Sequence, residues 1–99
     1  MTDLEMIKKC AELMELDLIA DPPEAAERLG YWVKDGHGKY DPLVYDDQAM
    51  ALVKRFKLRI DVGEFGGRWL VTDASPYNVI ADDLNLNRAI VKCVMVKKR

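Results

Sequence analysis

One histidine, one serine, two threonines and two cysteines are the residues from which a nucleophile–base pair would have to be built. His37 lies in Asp35-Gly36-His37-Gly38, a glycine-framed stretch that reads as a turn. A histidine there is hydrated and poorly held, so it makes a weak general base for Ser75 or for either cysteine. Structural zinc needs four Cys/His ligands at short paired spacings; this chain has three such residues, widely scattered. Asp41, Asp46 and Asp47 form an acidic cluster, but without the alternating acids, glycine and distal Glu of an EF-hand loop. Asp41-Pro42 reads as a turn start and Asp46 or Asp47 as a helix cap, with weak Mg²⁺ binding as the competing use. Gly63-Glu64-Phe65-Gly66-Gly67 lacks the Gly-Lys-Ser/Thr of a phosphate loop and leads into a strand, so a hairpin turn is expected. No catalytic residue, cofactor or metal is expected on these grounds.

The densest basic stretch is Lys54, Arg55, Lys57 and Arg59. Such a strip could meet nucleic-acid phosphates. The chain as a whole is acidic, at net charge −2, and Asp61 and Glu64 follow at once, which favours a solvated mixed-charge face. Aromatic side chains gather near turns: Trp32 beside the Gly36–Gly38 turn, Tyr40 and Tyr45 bracketing Asp41-Pro42-Leu43, and Phe65 at a hairpin tip. Aromatics so placed are common anchors of protein interfaces, so Trp32, Tyr40, Tyr45 and Phe65 are the candidate partner-binding residues, with core packing as their competing use.

The elements that must position these residues follow from periodicity. Leu4, Ile7, Ala11 and Met14 recur every three or four residues, which predicts a helix over 3–16 capped by Thr2 or Asp3. Asp21-Pro22-Pro23-Glu24 opens a short helix over 22–29, closed at Gly30. Tyr31-Trp32-Val33 and Lys39-Tyr40 pair as a hairpin. A helix follows from Asp46/Asp47 to about residue 56, with Ala49, Leu52, Val53 and Phe56 inward. Leu58, Ile60 and Val62 alternate with charged residues, and Arg68–Thr72 returns as the second strand of that hairpin. Residues 73–80 read as a loop. Asp82 or Asp83 then caps a last helix to about residue 96, although the β-branched run of Val91, Val94 and Val96 leaves a terminal strand as the alternative.

Mixed helices and hairpins give an α+β fold, with antiparallel β-hairpins and three main helices, in one domain spanning 1–99. Ninety-nine residues is one domain's worth of chain. A hydrophobic fraction of 49% supports a core. Cys10 and Cys93 fall in helical apolar stripes and read as small buried hydrophobes. No apolar run approaches a bilayer span, and the start Met1-Thr2-Asp3-Leu4-Glu5 is not a secretory signal, so a cytoplasmic location is expected.

Two stretches carry a family resemblance. One is Tyr40-Asp41-Pro42-Leu43 followed by Asp46-Asp47-Gln48-Ala49-Met50-Ala51-Leu52-Val53-Lys54-Arg55-Phe56; the other is Asn87-Arg88-Ala89-Ile90-Val91. Together they resemble the small bacteriophage proteins of the phage ABA sandwich family, with its aromatic-x-Pro-Leu-x-x-Asp motif and C-terminal Arg-Ala-Ile-Val helix. The resemblance covers most of the chain and is thinnest over residues 17–30 and the Gly-Gly hairpin. It implies a three-layer α/β/α sandwich in a small phage or prophage protein, and no established activity. By analogy with phage accessory proteins of this size, the expected function is non-enzymatic: binding of a host or phage protein, for instance to inhibit a host factor or defence system. The alternative is a nucleic-acid-binding regulator using Lys54, Arg55, Lys57 and Arg59, and a carboxylate–metal enzyme comes third. Neither nucleic acid nor membrane is the expected partner, and the protein is expected to be a monomer or weak homodimer.

Overall fold

The computed structural model describes residues 2–19, 30–34, 38–62, 67–73 and 80–97. The expected helix over 22–29, His37 and its turn, Phe65 and its turn, and Ser75 in the 74–79 stretch lie outside the described residues. The elements are α1 (Asp3–Leu13), β1 (Leu18–Ile19), β2 (Tyr31–Val33), β3 (Lys39–Tyr40), α2 (Asp46–Phe56), β4 (Leu58–Val62), β5 (Trp69–Asp73), β6 (Ile80–Asp83) and α3 (Leu86–Lys97). Among the described residues, three helices and two antiparallel three-stranded sheets give the α+β class expected from the sequence. The chain divides into two compact units, Met1–Asp41 and Pro42–Arg99.

In the first unit, Thr2 caps α1 by accepting a hydrogen bond from the Glu5 N–H at 3.1 Å. Met6, Ile7, Cys10 and Ala11 form its buried stripe. The helix closes in a Schellman arrangement: Leu16 N–H donates to Ala11 C=O at 2.8 Å and Glu15 N–H to Glu12 C=O at 3.1 Å. Glu15 takes the left-handed conformation there, at φ 59°, where glycine is the usual residue. The sheet has the order β1-β2-β3, with Leu18 opposite Val33, Ile19 opposite Trp32, Trp32 opposite Lys39 and Tyr31 opposite Tyr40. β1 escaped the sequence reading because two residues are too few to show an alternating pattern.

In the second unit the sheet order is β4-β5-β6. The β4–β5 register runs from Leu58 opposite Asp73 to Val62 opposite Trp69. α3 packs on β5 and β6, and α2 packs on α3. The core comprises Ala49 and Leu52 of α2, Leu58, Val71 and Ala81 of the sheet, and Ala89, Ile90, Val91, Cys93 and Val94 of α3. Residues 91–96 are helical, which resolves the helix-or-strand alternative; burial of Val91 and Val94 offsets their modest helix propensity.

Two local expectations change. α2 begins at Tyr45, whose side chain makes no capping bond, rather than at an aspartate cap. Asp46 instead occupies the first turn, where a carboxylate complements the helix dipole. Ile80–Asp83 is a strand rather than a loop running into a helix cap, and the cap of α3 is Asn85, whose Oδ1 accepts the Arg88 N–H at 3.0 Å.

Candidate functional site

The four aromatic candidates have different fates. Tyr40 is 4% exposed and belongs to the core, which corrects its assignment as a surface anchor: inward-facing β3 residues pack, and its ring does so. Its phenol is pushed up by burial, with the nearby Cys10 thiol adding to the effect, and its Oη has no hydrogen-bond partner among the described residues. Trp32 is half-exposed on the central strand of its sheet, in a cross-strand row with Ile19 and Lys39. Tyr45 is exposed at the entry to α2. Phe65 lies outside the described residues.

Tyr45 is not isolated. Val44 and Tyr45 lead into α2, Leu84 leads into α3, and Met50 lies one turn along α2; all four are exposed large apolar side chains. The first turns of the two helices flank an open cleft of about 330 Å³ lined by Asp46, Met50, Asn85, Leu86, Asn87 and Ile90. Its chemistry is mixed, with Met50, Leu86 and Ile90 apolar and Asp46, Asn85 and Asn87 offering carboxylate and amide groups.

The polar groups fix this geometry. Asn87 Nδ2 donates to Asp46 Oδ1 at 2.9 Å, joining the two helix starts. Asp83 Oδ1 accepts the Asn85 N–H at 2.9 Å, and Asp83 Oδ2 accepts from Lys92 Nζ at 2.7 Å. Those bonds hold the Asp83 carboxyl below the usual carboxylate range, the Lys92 hydrogen bond contributing most. Leu84 is therefore presented at 64% exposure on a segment pinned by a carboxylate on one side and a helix cap on the other.

No family model matches the chain, and neither a curated protein nor a solved structure is found to be similar to it. The site therefore has to be read from its own chemistry. Among the described residues, no group of three His, Cys, Asp or Glu side chains could hold a metal ion. Cys10 and Cys93 are both fully buried and not joined in a disulfide, and burial pushes the Cys10 thiol up to about 12, so it is a protonated core side chain at neutral pH. No described helix is long and apolar enough to cross a membrane.

Lys54, Arg55, Lys57 and Arg59 are all exposed. Lys54 and Arg55 occupy the last turn of α2, and Lys57 is its C-cap in the left-handed conformation. Arg59 is engaged by Asp61 at 3.3 Å.

Sequence reasoning picked out Tyr45 and missed Val44, Met50 and Leu84. Met50 carried a readable signal: it is an apolar residue out of phase with the Ala49/Leu52/Val53/Phe56 stripe, so the helix that buries the stripe must leave it outside.

Proposed function

We propose that this chain is a small phage or prophage accessory protein that works without catalysis, by binding a host or phage protein at the α2–α3 cleft. The observation that carries the reading is the set of exposed apolar residues Val44, Tyr45, Met50 and Leu84 on the entries and first turns of two helices flanking an open cleft. A polar surface would cost nothing to leave in water, whereas an apolar one gains from being covered. Covering a half-exposed Tyr, Met or Leu is worth on the order of 1–2 kcal/mol each. Asp46, Asn85 and Asn87 supply the polar contacts that orient a partner around such a centre. The phage assignment rests on the motif resemblance of Tyr40–Phe56 and Asn87–Val91, and inhibition of a host factor is the form of binding it suggests.

The test is co-purification from host extract with Met50→Lys/Leu84→Lys. Both side chains are exposed, so the variant should melt within a few degrees of the parent and lose its partner. Undiminished capture by a folded variant would move the binding surface elsewhere, with Trp32 and Ile19 next in line.

A further inference from the structure

The two compact units differ in charge. Residues 1–41 carry five Lys/Arg against ten Asp/Glu, whereas residues 42–99 carry ten against seven. The acidity of the whole chain thus hides a basic second unit. Charges more than about 10 Å apart are largely screened at 0.1 M salt, so a polyanion responds to the local surface rather than to the total.

Within the second unit the carboxylates are mostly engaged. Asp46 accepts from Asn87, Asp61 meets Arg59, Asp82 meets Arg68 at 2.9 Å, and Asp83 meets Lys92. Lys54, Arg55 and Lys57, by contrast, have no ion-pair partner among the described residues. Asp47 stands at the opposite end of α2, roughly 11 Å from Lys54 at 1.5 Å per residue. Three exposed cations with no ion-pair partner among the described residues therefore stand at one helix end.

All three cations stand at the C-terminal end of α2. Cations near a C-terminus complement the dipole, and Lys54 and Arg55 already do so. Lys57 stands at φ 53°, a backbone position that favours Gly or Asn. The dipole favours a cation at this C-cap as well, but three neighbouring cations repel one another, and a polyanion laid along them would relieve that repulsion.

We propose that Lys54, Arg55 and Lys57 form a contact strip for the phosphodiester backbone of duplex nucleic acid, a second surface beyond the protein-binding cleft. The strip has no exposed aromatic among its described residues: Phe56, the ring within it, is half-buried. Single-strand binders rely on stacking platforms that this strip lacks, which leaves phosphate contact without base reading.

Fluorescence anisotropy with a mixed-sequence DNA duplex, titrated from 50 to 200 mM salt, tests this directly. Three phosphate contacts give a slope of log K against log salt of about −2.7, so affinity falls about 40-fold over that range. Each of Lys54→Gln, Arg55→Gln and Lys57→Asn should lower the slope magnitude by about one. The asparagine keeps the left-handed backbone, and a thermal melt confirms that each variant is folded. Lys8→Gln, in the acidic unit, should change nothing. Absence of binding at 50 mM salt, or an unchanged slope in the folded triple variant, overturns the proposal.

Discussion

Asn87 donates its side-chain amide to the Asp46 carboxylate at 2.9 Å, tying the first turn of α3 to the first turn of α2. The bond spans 41 positions of sequence and sits in the lining of the cleft. Its removal therefore acts on stability and on the cleft's shape together. Asn87→Ala should cost about 1 kcal/mol in urea unfolding, as an exposed hydrogen bond does. It should weaken partner capture by more than that loss of stability explains. Wild-type capture by a destabilised variant would show that the tether serves folding alone.

Tyr40 offers a prediction of unusual sign. Its hydroxyl is buried without a partner among the described residues, and a buried unpaired polar group costs about 1–3 kcal/mol. Tyr40→Phe keeps the ring and removes the orphan, so it should match or exceed the parent in thermal stability. Tyr40→Ala, which removes the ring as well, should cost about 3–5 kcal/mol. Destabilisation by Tyr40→Phe would show that the hydroxyl has a partner, such as an ordered water.

Asp83 sets a pH dependence. Its carboxyl is held below the ordinary value by the Lys92 hydrogen bond and then by the Asn85 N–H. A depressed folded-state value means that the unfolded chain takes up the proton first as pH falls. The stabilisation is thus fully present above about pH 4, the unfolded carboxyl's range, and is lost as pH drops through the lower folded value. Asp83→Asn should melt below the parent at pH 7, and the gap should close toward pH 2. A gap that stays constant with pH would assign the effect to packing rather than charge.

Leu52 and Glu12 bracket the range of single-residue effects. Leu52 is fully buried in α2, so Leu52→Ala should cost about 2–4 kcal/mol through the cavity it leaves. Glu12 is exposed on α1 near Lys9, at 3.7 Å, and Glu12→Ala should change stability by less than about 0.5 kcal/mol. Equilibrium unfolding of the two variants measures the contrast.

Much of the fold was legible because apolar spacing is a local signal. Leu4, Ile7 and Ala11 marked α1; Ala49 and Leu52 marked α2; and Leu58, Ile60 and Val62 marked β4, each close to its observed bounds. What stayed hidden depends on partners far along the chain. β1 is two residues that become a strand only against Trp32 and Val33. β6 contains Asp82-Asp83, which reads as a helix start, yet Asp82 is used by Arg68 and Asp83 by Lys92. The site was partly legible for the same reason. Tyr45 stood out by type; the phase of Met50 on α2 was a readable signal that the sequence reading left unused. Leu84 could be recognised only once the Asp83–Asn85 turn was seen to hold it outward.

The most direct test of a partner-binding cleft is site-specific photo-crosslinking. A photoreactive side chain is placed at position 50 in one protein and at position 12 in another, and each is irradiated in host extract. Protein binding at the α2–α3 cleft predicts a discrete, saturable adduct from position 50, competed by unlabelled protein and lost with Leu84→Lys, and none from position 12. Equal adducts from both positions, or an adduct at 50 indifferent to Leu84→Lys, would contradict it.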